Sequence, residues 1–130
     1  MHLNNGTTKW VMDIKSFLEI NYRFHYNHDN LAKRFGINMF KLKKEFKAVT
    51  GYNIHEYVTR VRIENSKVYL GNTSKTISDI ANKVGLDKSN FIKQFKNYTG
   101  KTPAEWRNNI NSDNGIVIGN TNSVQVDFRH

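Results

Sequence analysis

Apolar residues recur at helical spacing along most of the chain, and a glycine falls where each apolar run stops. Gly36, Gly51, Gly71, Gly85 and Gly100 each suit the left-handed position just past a helix end. Starts are marked too. Asn53 with Glu56, Thr76 with Asp79 and Thr102 with Glu105 have capping-box spacing, and Pro103 sits where its missing N–H costs nothing. This punctuation predicts seven helices, over 8–22, 28–35, 39–50, 54–70, 77–84, 88–99 and 103–110, so the expected fold class is all-α. Trp10, Ile14, Phe17 and Leu18 form the packing face of the first helix. From about residue 111 the pattern changes. Ile116 and Ile118, then Val124, Val126 and Phe128, alternate around 119–123, which reads as a weak β-hairpin, a disordered tail or the start of a further domain.

The chain also matches itself at an offset of 49 residues. Leu31-Ala32 recurs as Ile80-Ala81, Gly36-Ile37 as Gly85-Leu86, Leu42 as Phe91, Phe46-Lys47 as Phe95-Lys96, Thr50-Gly51 as Thr99-Gly100, and Tyr57 as Trp106. Two copies are too few for a solenoid, so a duplicated supersecondary unit is expected. Each copy is a short helix, a turn at glycine, and a longer helix behind a capping residue, Asn38 or Asp87. That order is a helix-turn-helix, whose second helix packs by one face and can enter the major groove of DNA with the other. At 100° per residue Leu42, Phe46 and Val49 share the packing face of the first copy, and Phe91, Phe95 and Tyr98 that of the second.

Charge narrows the choice of partner. The 130 residues carry 20 Lys plus Arg against 11 Asp plus Glu, net +9. Residues 8–110 hold 19 basic and 9 acidic residues, whereas the tail adds one Arg and two Asp. Each predicted recognition helix carries net +3. Such a balance favours a polyanion, with nucleic acid ahead of an anionic membrane. With no cysteine, a disulfide scaffold, a thiolate metal site and a cysteine nucleophile are excluded. No apolar run reaches the roughly 18 residues of a membrane span and no signal-peptide pattern opens the chain, so a cytoplasmic protein without membrane partners is expected.

The repeat, together with Tyr22, Arg62, Leu70, Val84-Gly85-Leu86, Thr102-Pro103, Trp106 and Arg107, resembles the DNA-binding domain of the AraC/XylS family of bacterial transcription regulators, over about residues 14–108. The most specific stretch runs from Ile80 through Gly100-Lys101-Thr102-Pro103 to Arg107. The resemblance implies two helix-turn-helix subdomains, about 8–52 and 76–110, joined by the 54–70 helix. It implies two recognition helices in successive major grooves of double-stranded DNA, with RNA polymerase as a further partner. Ser66 and Trp106 depart from the family's usual Ala and Tyr, and Asn27-His28-Asp29 from its usual Ser or Thr cap. The family's usual companion domain is not visible, so the chain is expected to be either a stand-alone binder or a piece of a longer regulator.

Candidate DNA contacts follow from the outward faces. Lys44 and Lys93, central on those faces, suit guanine edges, followed by Lys43, Ser89 and Asn90, with Asn able to pair with adenine. Lys47 and Lys96, nearer the rear of each helix, suit phosphates. Phe40 either packs on Tyr52 or Tyr57 or reaches thymine methyl groups. Arg62 and Arg107 are open between DNA contact and a structural role at a helix junction. His25 and His28 have an H-x-x-H spacing without a third ligand, and no phosphate loop, nucleophile elbow or carboxylate pair is present. No metal, cofactor, small-molecule ligand or enzymatic activity is therefore expected. The competing reading is a basic module that docks on an acidic protein.

Overall fold

Helix starts fall where a side chain can take up an otherwise orphaned backbone N–H. The computed structural model describes residues 5–114, with side chains from 9 to 111, and contains seven helices, all but the first following this rule. They are α1 (Asn5–Ile20), α2 (His28–Phe35), α3 (Met39–Thr50), α4 (Ile54–Asn72), α5 (Ile77–Lys83), α6 (Lys88–Thr99) and α7 (Pro103–Asn114), and the described residues contain no strand. The expected hairpin at 116–128 lies outside the described residues.

Asn27 resolves the atypical cap of α2, its Oδ1 accepting the N–H of Asn30 at 2.7 Å. Asn38 and Asp87 do the same for Lys41 at 3.1 Å and Asn90 at 2.8 Å. Two capping boxes are reciprocal: Glu56 accepts from Asn53 N–H at 2.9 Å while Asn53 accepts from Glu56 N–H at 2.8 Å, and Glu105 and Thr102 exchange bonds of 2.8 and 3.2 Å. The Thr102 N–H bond holds the exposed Glu105 carboxyl below its ordinary pKa.

The chain divides into two compact units within α4, between Thr59 and Arg60. In the first, α1 and α2 both pack on α3, burying Val11, Ile14, Leu18, Leu31, Leu42 and Phe46. Phe46 meets Tyr57 edge-on at 5.7 Å, and the Tyr57 hydroxyl donates to Glu19 of α1. Burial, helped by Glu19, pushes the Tyr57 phenol above its ordinary pKa, so it stays a donor. In the second unit α6 packs on α5 and α7, burying Ile80, Ala81, Val84, Phe91 and Phe95. Here Phe95 meets Trp106 edge-on at 5.6 Å.

The duplication extends to hydrogen bonds. Gly51 and Gly100 both adopt φ 85°, ψ −5°, a left-handed geometry that a side chain would strain. Before each, a threonine hydroxyl bonds back into the helix, Thr50 to the Phe46 carbonyl at 2.8 Å and Thr99 to the Phe95 carbonyl at 2.9 Å.

Three expectations are corrected. Gly71 does not end its helix: it has no positive φ and lies inside α4, which continues to Asn72. The cause is Arg107 of α7, whose Nε donates to the Leu70 carbonyl at 3.1 Å and whose terminal nitrogens donate to the carbonyls of Lys75 at 2.7 Å, Thr73 at 3.2 Å and Tyr69 at 3.4 Å. A guanidinium thus satisfies carbonyls that a glycine motif would otherwise serve. Second, α7 runs past 110 to Asn114, because Asn and Ser cost only tenths of a kcal/mol each in a helix. Third, Tyr98 is 40% exposed, with the Arg60 guanidinium 5.3 Å from its ring centre, so it is not a core residue. The remaining ends shift by a few residues: α1 starts earlier and ends at Ile20, and α5 ends at Lys83. Ser66 is fully buried and satisfied, its hydroxyl donating to the Ile63 carbonyl at 2.7 Å.

Replacing Arg107 by Met, which keeps much of the bulk but no donor, should destabilise the protein by roughly 2–4 kcal/mol, since several charge-assisted bonds to backbone are lost together. Urea unfolding followed by circular dichroism measures it; an unchanged midpoint would show that these bonds carry no weight.

Candidate nucleic-acid interface

A helix that buries one stripe must present the other to solvent. In α3, Leu42 and Phe46 are fully buried while Phe40, Lys43, Lys44 and Lys47 are exposed. In α6, Phe91 and Phe95 are fully buried while Ser89, Asn90, Lys93 and Lys96 are exposed. All eight sequence-predicted contacts are thus solvent-facing. Lys44 and Lys93, and likewise Lys47 and Lys96, occupy corresponding places in the two copies.

Phe40 does not pack into the core. It is 73% exposed, an unusual state for so large an apolar side chain and one that leaves its ring open to a partner. Asn90 has a prior engagement, its amide Nδ2 donating to the Asp87 carboxylate at 2.9 Å. The second hydrogen on Nδ2, together with Oδ1, is still able to pair with an adenine edge while the Asp87 bond holds the side chain in place.

Among the described residues, no carboxylate forms an ion pair with Lys43, Lys44, Lys47 or Lys93. The pairs Lys9–Asp13 at 3.5 Å and Lys33–Asp29 at 3.2 Å lie on α1 and α2, and Lys67–Glu64 at 2.7 Å on α4. The positive faces of the recognition helices therefore keep their field for an external anion.

The two arginines left open are now placed. Arg62 is only 5% exposed, and burial lowers its pKa, which puts its guanidinium inside the packing around α4. Arg107 is occupied by the four carbonyls described above.

One feature of the first unit escaped the sequence. His28 at the start of α2 and Asn53, Ile54 and His55 around the start of α4 close a depression of about 730 Å³ against Phe40, Lys43, Lys44, Lys47 and Ala48 of α3. Four predicted contacts are gathered there with two histidines that the sequence scattered over 27 positions. The signal available in advance was weak: both histidines fall in the first turn of a helix, but their counterparts in the repeat are Ile77 and Ala104.

Comparisons with known proteins agree with this geometry. Residues 31–109 match a family described as a helix-turn-helix domain. The Msm operon regulatory protein of Streptococcus mutans is 32% identical over 111 residues, covering 85% of this chain and 40% of that protein. The chain spans less than half the length of this and other curated relatives it matches. Among solved structures, a transcriptional regulator from Chromobacterium violaceum with an AraC-type DNA-binding domain aligns with TM-score 0.72 at 25% identity, over 82% of this chain and 96% of that one. The DNA-binding domain of AdpA, solved with a target DNA, shares the fold with TM-score 0.77 at 14% identity, over 81% of this chain and 96% of that one.

Because Phe40 contributes little to the core, Phe40→Ala should change folding stability by no more than about 0.5 kcal/mol. Thermal or urea denaturation decides this; a loss on the scale of a core deletion would return the ring to a packing role.

Proposed function

This chain belongs to the AraC/XylS family of helix-turn-helix proteins, and from that premise we propose that it is the DNA-reading part of a bacterial transcription regulator. In each unit the longer helix, α3 or α6, enters a major groove of double-stranded DNA. The observation that carries the reading is the repeated exposed face: Lys44 and Lys47, then Lys93 and Lys96, stand opposite fully buried Leu42/Phe46 and Phe91/Phe95 behind matching caps. A single basic helix is commonly only solvated; two with the same internal frame match a polyanion with repeating grooves.

Roles follow from reach. Lys44 and Lys93 donate to base edges, joined by Lys43, Ser89 and Asn90, and Phe40 makes apolar contact with thymine methyl groups. Lys47 and Lys96 hold phosphates and set register. The protein acts in the cytoplasm, without a cofactor and without catalysis of its own, since reading a duplex needs neither. RNA polymerase is the protein partner that family membership adds. No described helix is long and apolar enough to cross a membrane.

Selection of bound duplexes from a random pool should yield a two-part site with its parts about one helical turn apart. Lys44→Ala or Lys93→Ala should then relax preference in one part only, by about 1–3 kcal/mol of discrimination. Equal affinity for selected and random duplexes overturns sequence-specific reading. Should a pull-down of an acidic protein survive nuclease while DNA shows no shift, the basic face is a protein-docking surface instead.

Affinity for the selected duplex should also fall steeply with salt, the log–log slope being near −0.9 per phosphate neutralised. Lys47→Ala should weaken all sequences alike and make that slope shallower by about one. A titration from low to high salt with filter binding reads both; an unchanged slope removes Lys47 from the backbone contacts.

A further inference from the structure

The depression between α2, α3 and the start of α4 joins two chemistries. Phe40, Ala48 and Ile54 make an apolar surface, and Lys43, Lys44, Lys47, His28 and His55 surround it with nitrogen donors. No carboxylate lines it. Of the acids on the packed elements, Asp29 of α2 pairs with Lys33 at 3.2 Å and Glu56 of α4 turns back to the Asn53 N–H at 2.9 Å, while Glu45 of α3 does not line the depression and has a carboxylate oxygen buried from solvent. With Phe40 turned to the bases, the Ala48 and Ile54 surface beneath cationic and imidazole donors suits the sugar–phosphate strand of DNA, whose deoxyribose is largely apolar and whose phosphate is a full anion.

We propose that this depression seats one stretch of the DNA backbone beside α3, with His28 and His55 as phosphate ligands next to Lys47, and that the duplex is bound with uptake of a proton by His28. The inference rests on the DNA-binding reading above. It adds two contact residues outside the recognition helices and a regulatory consequence, an affinity that depends on pH near neutrality.

The physical argument is one of linkage. In the free protein, burial, the Lys43 ammonium and His55 hold the His28 pKa below its ordinary 6.5, so the ring is mostly neutral at pH 7. A phosphate placed among these groups cancels the positive potential and favours the charged ring. The folded, DNA-bound state then has the higher pKa and the free state the lower. Affinity must therefore rise as pH falls through the bound-state value and level off below the free-state value. The second unit has Ile77 and Ala104 at the corresponding places, so the effect belongs to the first unit alone.

The test uses the full 130-residue chain and the duplex selected from the random pool, titrated at constant ionic strength between pH 7.5 and 5.5. The unmodified protein should tighten as pH falls, by up to about tenfold per pH unit for each proton taken up. His28→Gln together with His55→Gln, both in helix first turns and checked for unchanged circular dichroism, should abolish that slope. Methylphosphonate replacement of single phosphates should remove the slope at one backbone position flanking the part of the site read by α3. Tight binding without a pH slope, or a slope that persists in the double variant, overturns the inference and leaves the DNA-binding reading intact. Failure to select any duplex overturns both.

Discussion

The edge-on pairing of Phe46 with Tyr57, and of Phe95 with Trp106, is the contact on which each unit depends. In both cases a ring from the recognition helix is locked against the aromatic that follows one turn into the next helix. Buried aromatic pairs contribute about 0.5–1.5 kcal/mol beyond their area, and they also define a rotation. Once Phe46 and Leu42 are inside, α3 has no freedom to turn Lys43, Lys44 and Lys47 away from solvent. The same holds for α6 with Phe91 and Phe95. The position of the basic face is therefore a consequence of core packing, not of the charges themselves.

The two copies solve the same problem with different partners. Tyr57 is anchored by donating its hydroxyl to Glu19, and Lys15 lies 5.9 Å above its ring. Trp106, in the second copy, has Lys67 at 4.9 Å over its ring and a buried indole N–H with no partner among the described residues. Its helix is held instead by Arg107, which gathers four carbonyls at the end of α4 and beyond. A tyrosine bond to α1 in one unit and a guanidinium clamp in the other fasten the same supersecondary frame. The copies also differ beside the recognition helix, where the first has His28 and His55 and the second has Ile77 and Ala104 at the corresponding places.

What could be read along the chain was what depends on neighbours within a few residues. Helices α2, α3 and α6 have the expected limits because their caps are local: Asn27, Asn38 and Asp87 at the starts, glycines at the ends. The exposure of Lys44 and Lys93 was equally legible, because helical periodicity decides it. Gly71 was misread because its helix end is served by Arg107, more than 30 residues away. Tyr98 was misread because it lies at the rim of the packing stripe, 40% exposed, where the Arg60 guanidinium meets its ring.

Order along the chain thus settled the seven helices, the duplication, the family and the sign and spacing of the two basic faces. Each follows from short-range steric and hydrogen-bonding rules or from counting charges. The tertiary structure decided which arginines are available, burying Arg62 and saturating Arg107, and which aromatics are not core. It also brought His28 and His55 to the edge of α3, a juxtaposition that depends on how α2 and the start of α4 pack. No periodicity encodes that, because the two residues belong to different helices and meet only through a third.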